Sequence, residues 1–236
     1  METKKQEYTE DNATFEAFIA RPEKEGKHPC VLIFHAWEGR SSFVDEKAMN
    51  LAKLGYVGCS LDMFGKGKIG KTTDERMAFI EPLLDDRSLL LKRALAGFEM
   101  AKSLDFVDSS KIAAIGFCFG GLCALDLARS GAEIKGVVSF HGNLTSPQNH
   151  TNKNIQAKIL VLHGHEDPLV SPELVTHFEK EMTDAGCDWQ VHIYGKTLHA
   201  FTEPGINNPK LGLLYNPIAE KRSFQSMENF LKEIFP

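Results

Sequence analysis

Short, nearly continuous apolar runs separated by longer helical patterns constrain this chain most. Cys30–Phe34 reads Cys-Val-Leu-Ile-Phe, and Val57–Leu61, Ile112–Phe117, Gly136–Phe140 and Lys158–Leu162 repeat the theme, with a further strand expected at Trp189–Tyr194. A strand without polar alternation is buried on both faces, which is the state of a strand in a mostly parallel sheet covered by helices. Between the runs, the spacing predicts helices at Asp45–Leu54, ended by Gly55, at Asp74–Leu84 and at Asp86–Leu104. In the last of these, Leu89, Leu90, Arg93, Ala94, Gly97 and Ala101 keep the three-and-four spacing of one helix face. Further helices are expected at Phe119–Ser130, at Pro172–Ala185 (capped by Ser171 or Pro172 and stopped by Gly186) and at Asn216–Phe235. Ala13–Ala20 is expected to be an edge strand. The predicted class is α/β, with helices on both faces of the sheet.

No internal repeat, low-complexity tract or long linker interrupts the 236 residues, so one domain spanning 1–236 is expected. A net charge of −5 argues against a nucleic-acid binder, which is normally basic. No apolar window is long enough for a transmembrane helix. The start, Met1-Glu-Thr-Lys-Lys-Gln-Glu, lacks an apolar signal core, so the expected location is cytoplasmic. The five cysteines are odd in number and scattered, which does not suggest a disulfide framework. Cys118 and Cys123 on one helix would stand about 7.5 Å apart along its axis, too far to bridge. No pair has the spacing of a zinc site.

In open parallel sheets, function collects beyond the carboxyl ends of the strands. One such end reads Ile115-Gly116-Phe117-Cys118-Phe119-Gly120-Gly121, the pattern G-x-S-x-G with cysteine in the serine slot. A nucleophile on so sharp a strand-to-helix turn needs small neighbours two residues before and two after. The following helix aims its positive end at the site, which favours a thiolate. The Phe119 N–H then faces a developing oxyanion. The plainer alternative is a buried cysteine in a tight glycine turn.

An acid and a base should follow in that order. Asp167, in His165-Glu166-Asp167-Pro168, lies just past one strand end, and His199 lies in the loop after the last strand. Asp before Pro is also a common turn starter, and His165 and Glu166 are adjacent competitors. His35, His141 and His163 compete with His199, but only His199 follows the last strand. The second oxyanion donor is expected after Cys30–Phe34, in His35-Ala36-Trp37-Glu38-Gly39-Arg40, at the Trp37 N–H. His35 is expected to be a packing residue. Trp37, Phe117, Phe119 and Phe201 suggest a partly apolar pocket.

These segments resemble the dienelactone hydrolase family: HAWEGR after a strand, then LDMFGKG, GFCFGG, HGHEDPLV and LHAF. The resemblance runs from about Ala13 to the last helix. It implies an α/β-hydrolase fold without a large cap domain, a Cys118–Asp167–His199 triad, a small ester or lactone substrate and no cofactor. Two positions depart from it. The family often carries a glutamate where this chain has Ala36, with Glu38 two residues later. The founding enzyme grips a substrate carboxylate with two arginines, but Glu203 stands four residues after His199. Arg76 falls near the other arginine, with Arg87 as an alternative. These departures argue against dienelactone itself as substrate. The residues expected to bind substrate are Glu38, Arg76, Arg87 and Phe201. The expected partner is a small molecule, with no nucleic acid and no membrane, and the chain is expected to be a monomer or homodimer.

A competing signal remains. Gly65-Lys-Gly-Lys-Ile-Gly70-Lys71-Thr72 fits the phosphate-loop pattern G-x-x-x-x-G-K-[ST], with Lys71 and Thr72 in the phosphate and Mg²⁺ positions. Asp62-Met63-Phe64 separates it from its strand, and no second strand ends in a convincing metal-binding acid. A solvated surface loop is the simpler reading. An inactive hydrolase fold used as a binding module is a third, opposed by the complete triad order.

Overall fold

The computed structural model describes residues 1–147 and 155–236. The apolar runs pair into one eight-stranded sheet: β1 (Glu2–Glu10), β2 (Ala13–Arg21), β3 (His28–Phe34), β4 (Val57–Leu61), β5 (Val107–Phe117), β6 (Gly136–Phe140), β7 (Lys158–Gly164) and β8 (Trp189–Tyr194). Their spatial order is β1-β2-β4-β3-β5-β6-β7-β8. Pairing is antiparallel from β1 through β2 to β4 and parallel from β4 to β8. The stretch expected as an edge strand is β2, and it is not at the edge. β1 pairs along its whole length, turning at Asp11 with φ 48°. The sequence hides β1 because it exposes nearly every side chain. Only Tyr8 is buried, stacked on Phe15 with its hydroxyl donating to the Asp62 carbonyl at 2.7 Å.

Among the described residues, six helices cover the sheet: α1 (Ser42–Lys53), α2 (Thr73–Asp85), α3 (Arg87–Lys102), α4 (Phe119–Arg129), α5 (Pro172–Asp184) and α6 (Pro217–Ile234). Alternate residues of each inner strand feed two separate cores. Leu32 and Ala114 pack with α2, α3, α4 and α5, while Val31, Ile33, Ala113 and Ile115 pack with α1 and α6. Helices on both faces are what continuous apolar strands require. Among the described residues, no helix is long and apolar enough to cross a membrane. A small hairpin went unread in the sequence: β9 (Asn207–Asn208), a 3-10 turn at Pro209–Leu211 and β10 (Leu213–Leu214). Such short strands carry no periodicity.

The parallel strands end at one edge of the sheet. There Phe34 leads into His35, Leu61 into Asp62, Phe117 into Cys118, Phe140 into His141 and Gly164 into His165.

Candidate active site

Cys118 sits between β5 and α4 with φ 53° and ψ −115°, a conformation that costs a non-glycine residue about 1–3 kcal/mol. The surrounding structure holds it there. Its N–H donates to the Phe140 carbonyl at 3.0 Å, and its carbonyl accepts from Gly121 N–H at 3.0 Å. The glycines are needed for passage: a Cβ on Gly116 would lie 1.9 Å from the Gly120 oxygen, and one on Gly120 would lie 2.1 Å from the Phe34 oxygen. Strand, turn and helix therefore touch backbone to backbone.

Asp167 and His199 come together across the loops after β7 and β8. His199 Nδ1–H donates to Asp167 Oδ2 at 2.7 Å, and both residues are buried. Asp167 Oδ1 accepts from Leu169 N–H at 2.8 Å, which orients the carboxylate. His165 and Glu166, its sequence competitors, are exposed. The β9–β10 hairpin clamps His199 from outside. His199 N–H donates to the Gly212 carbonyl at 2.9 Å, and Leu214 N–H donates to the His199 carbonyl at 3.0 Å. Gly212 has φ 75°, and a Cβ there would lie 2.1 Å from Cγ of Pro168, next to Asp167. One small turn thus touches the carriers of both side chains, a role the sequence did not reveal.

The other nitrogen of His199, Nε2, is buried and has no nitrogen or oxygen partner among the described residues. Burial by itself disfavours the charged ring. The interactions of the ring with Cys118 and with the hydrogen-bonded Asp167 more than offset this, so His199 is pushed up to about 10. Cys118 and His199 are therefore neighbours. The other four thiols are pushed up by burial, Cys59 to about 12, Cys187 to about 11, and Cys30 and Cys123 far above their ordinary value.

The competing histidines have no carboxylate partner like that of His199 among the described residues. His35 Nδ1–H donates to the Ala36 carbonyl at 2.6 Å, and its Nε2 accepts from Met63 N–H at 3.0 Å, which makes it the expected packing residue. His141 Nε2 lies 2.8 Å from Thr202 Oγ1, and its ring meets His199 edge-on at 5.0 Å. Burial, then the nearby His199, hold His141 well below its usual range. His163 is lowered by burial in the same direction.

The expected oxyanion amides lie on adjoining elements. Phe119 is the first residue of α4, whose N–H has no intrahelical acceptor. Trp37 follows β3, the strand paired with β5, and the Phe34 and His35 carbonyls touch the elbow at Gly120. Two of the expected substrate-binding residues are near. The Arg76 guanidinium stands over the Trp37 ring at 5.0 Å, and its Nε donates to the Gly70 carbonyl at 2.9 Å. Glu38 is half-buried, raised by burial and drawn down by Arg76. Glu203 joins them. Burial pushes it up to about 7, with Glu38 adding to the rise and His199, Arg76 and Lys47 opposing it.

Two expectations fail. Arg87 is bound elsewhere: its Nε and Nη2 donate to Asp126 at 2.6 and 2.7 Å. Asp126 lies about 12 Å along α4 from Cys118. Phe201 is fully buried against His141 and Tyr194 and supports the base loop from beneath, so it lines no pocket. The phosphate-loop alternative fails as well. The N–H groups of Gly65, Lys66, Lys68 and Gly70 donate to Asp62, Thr14, Gly65 and Glu38, and those of Lys71 and Thr72 both donate to Glu75. The Thr72 hydroxyl accepts from Glu75 N–H as the cap of α2. Few amides remain for a phosphate.

A mostly parallel sheet opened by an antiparallel hairpin, with a strained strand-to-helix cysteine and a buried histidine–aspartate pair at its carboxyl edge, defines the α/β-hydrolase class. The sequence model of the dienelactone hydrolase family matches residues 15–235. An uncharacterized Caenorhabditis elegans protein is 40% identical over 159 residues, 65% of this chain and 99% of its own length. A probable 2-oxo-3-(5-oxofuran-2-ylidene)propanoate lactonase of Bradyrhizobium is 27% identical over 92% of this chain and 88% of its own. A crystal structure of a dienelactone hydrolase-like promiscuous phosphotriesterase from metagenomic libraries superposes with a TM-score of 0.95 at 34% identity, covering 100% of this chain and 99% of that one. The chain belongs to the dienelactone hydrolase family, and it is a hydrolase of esters or lactones.

Proposed function

We propose that the chain hydrolyses a small carboxylic ester or lactone through Cys118, Asp167 and His199 and a covalent acyl-enzyme. The observation that carries this reading is the buried His199, fixed by Asp167 at 2.7 Å with its other nitrogen free of any nitrogen or oxygen partner among the described residues. His199 Nε2 takes the Sγ proton, or holds the thiolate as an ion pair, and sulfur attacks the carbonyl carbon. The Phe119 and Trp37 N–H groups stabilise the oxyanion as negative charge moves onto it. The C–O bond breaks, and the leaving alkoxide takes the proton from His199. Water then gives a proton to His199 and attacks the thioester. The carboxylic acid leaves, and sulfur is restored. A thiolate expels an alkoxide far more readily than an amine, so ester and lactone are favoured over peptide.

The test is a panel of 4-nitrophenyl esters and small lactones on wild type, Cys118→Ala and His199→Asn. Loss of turnover in both variants, with an acyl adduct on Cys118 seen by mass spectrometry, is expected. Equal rates in wild type and Cys118→Ala overturn the assignment.

A further inference from the structure

We propose that His141 is a positioning residue for the reaction: its buried ring braces the His199 imidazole and the turn that follows it, and so sets the direction of Nε2. The inference rests on the reading of His199 as base and Cys118 as nucleophile. Phe140 and His141, where β6 ends, touch both of them. The Phe140 carbonyl accepts from Cys118 N–H at 3.0 Å, and the His141 ring meets the His199 ring edge-on at 5.0 Å, with 65° between their planes. His141 Nε2 shares a hydrogen bond with Thr202 Oγ1 at 2.8 Å, three residues past His199, and its ring meets the Phe201 ring at 5.1 Å. One side chain therefore spans the turn from 199 to 202, in which Ala200 holds φ 57°. The backbone of His141 is itself unusual. Its φ is 39°, a conformation that glycine adopts freely and other residues hold only where their surroundings fix them. Its N–H donates to the Leu162 carbonyl at 2.9 Å. A Cβ on the next residue, Gly142, would lie 2.2 Å from Ser139 Oγ and 2.9 Å from Gly121 Cα, so this turn is seated on the start of α4.

The brace answers a geometric need. The hydrogen bond from Nδ1 to Asp167 fixes one corner of the His199 ring but lets the ring swing about that corner. The backbone clamp from Gly212 and Leu214 fixes the His199 main chain, not its ring. A contact away from Nδ1 is needed to hold the plane, and the His141 ring supplies it. Histidine suits the place for two reasons. It is flat, so it packs against a ring, and it offers a polar atom to the fully buried Thr202 hydroxyl, which a phenyl group would leave unpaired among the described residues. It also brings no charge. Burial, then His199, then His163 hold it well below its usual range, so the base meets a neutral neighbour.

The experiment compares 4-nitrophenyl butanoate with phenyl butanoate, which give the same acyl-enzyme. kcat/KM reports acylation, and its ratio between the two esters cancels any loss of folded protein. Nitrophenolate leaves without a proton, whereas phenolate draws one from His199 in the transition state, so a misdirected ring penalises the phenyl ester more. His141→Ala is expected to lower kcat/KM for the phenyl ester by about a hundredfold, the scale of a catalytic group displaced by about 1 Å, and to raise the ratio about tenfold. His141→Leu, which fills the space without a flat ring, gives the same test where the alanine variant does not fold. His141→Phe combined with Thr202→Val keeps a ring against His199 and replaces both hydrogen-bonding groups with apolar ones of like shape, so the ratio returns to within about threefold of wild type. In proton NMR, the downfield His199 Nδ1–H signal should be sharp in wild type and the double variant and broadened in His141→Ala. An unchanged ratio in His141→Ala or His141→Leu overturns the brace, as does a ratio raised equally in the double variant. With Cys118→Ala inactive, the nucleophile reading survives both results. Turnover undiminished in Cys118→Ala overturns that reading, and the brace with it.

Discussion

Two glycine-rich turns in this chain join a strand to a helix, and both fit a motif for holding negative charge. Gly116–Gly121 does so with its glycines crushed between backbones, so β5, Cys118 and α4 have one possible course. Gly65–Thr72 matches its own motif letter for letter, yet six of its amides are consumed by Asp62, Thr14, Gly65, Glu38 and Glu75. The first turn leaves the Phe119 N–H at the start of α4 without an intrahelical acceptor. The second spends its own N–H groups on the turn itself, on β2, on the loop after β3 and on the cap of α2. A motif that works through backbone donors is decided by where those donors go, because every buried N–H must have a partner.

The contrast breaks most directly at Cys118. Cys118→Ala should lower ester kcat/KM by about 10⁴-fold or more, since members of such a triad act as a unit. Initial rates and an unchanged melting temperature would check it. Asp167→Asn should cost roughly 10³-fold, because the ring then loses its tautomer and its charge partner. The same assay decides, and full activity would remove Asp167 from the site. On the steric side, Gly120→Ala must move the Phe34 carbonyl, and a loss of roughly 3 kcal/mol or outright misfolding is expected by chemical denaturation. The tight packing argued for the elbow would be wrong if stability were unchanged.

A fourth test uses pH. The folded His199 is raised from 6.5 to about 10, so between those values the native state binds the extra proton. Its contribution to stability is therefore complete below pH 6.5 and is lost as pH rises through about 10. Melting curves should fall more steeply over that range in wild type than in His199→Gln, and parallel curves would contradict the shift. The smallest effect belongs to the other turn. Lys71 is exposed, so Lys71→Ala should leave stability within about 0.5 kcal/mol and ester hydrolysis intact, with no Mg-ATP binding by calorimetry in either form. Tight ATP binding by wild type, lost in the variant, would collapse the contrast.

Much of the fold was legible for a specific reason. Strands buried on both faces carry unbroken apolar runs, and β4 and β6 have the bounds that their sequences predict, as does the half-exposed edge strand β8. β1 was not legible, because an exposed strand has no apolar pattern and is held by its hairpin register alone. The order of Cys118, Asp167 and His199 was readable because each lies at the end of a readable strand. Arg87 and Phe201 were misplaced because their chemistry suits a substrate pocket equally well. Arg87 found Asp126, and Phe201 found the underside of His141.

Local patterns in the sequence therefore determined the alternation of strands and helices, the glycine-flanked cysteine and the order of its proposed partners. These depend on residue type and spacing within short segments. The tertiary structure alone decided which of two glycine turns spends its amides and which histidine meets a buried carboxylate. Those outcomes depend on pairings across tens of residues: Glu38 with Gly70, Gly212 with Pro168, Asp167 with His199. No local pattern encodes such contacts, because each exists only after the strands have packed and brought their loops to a common edge.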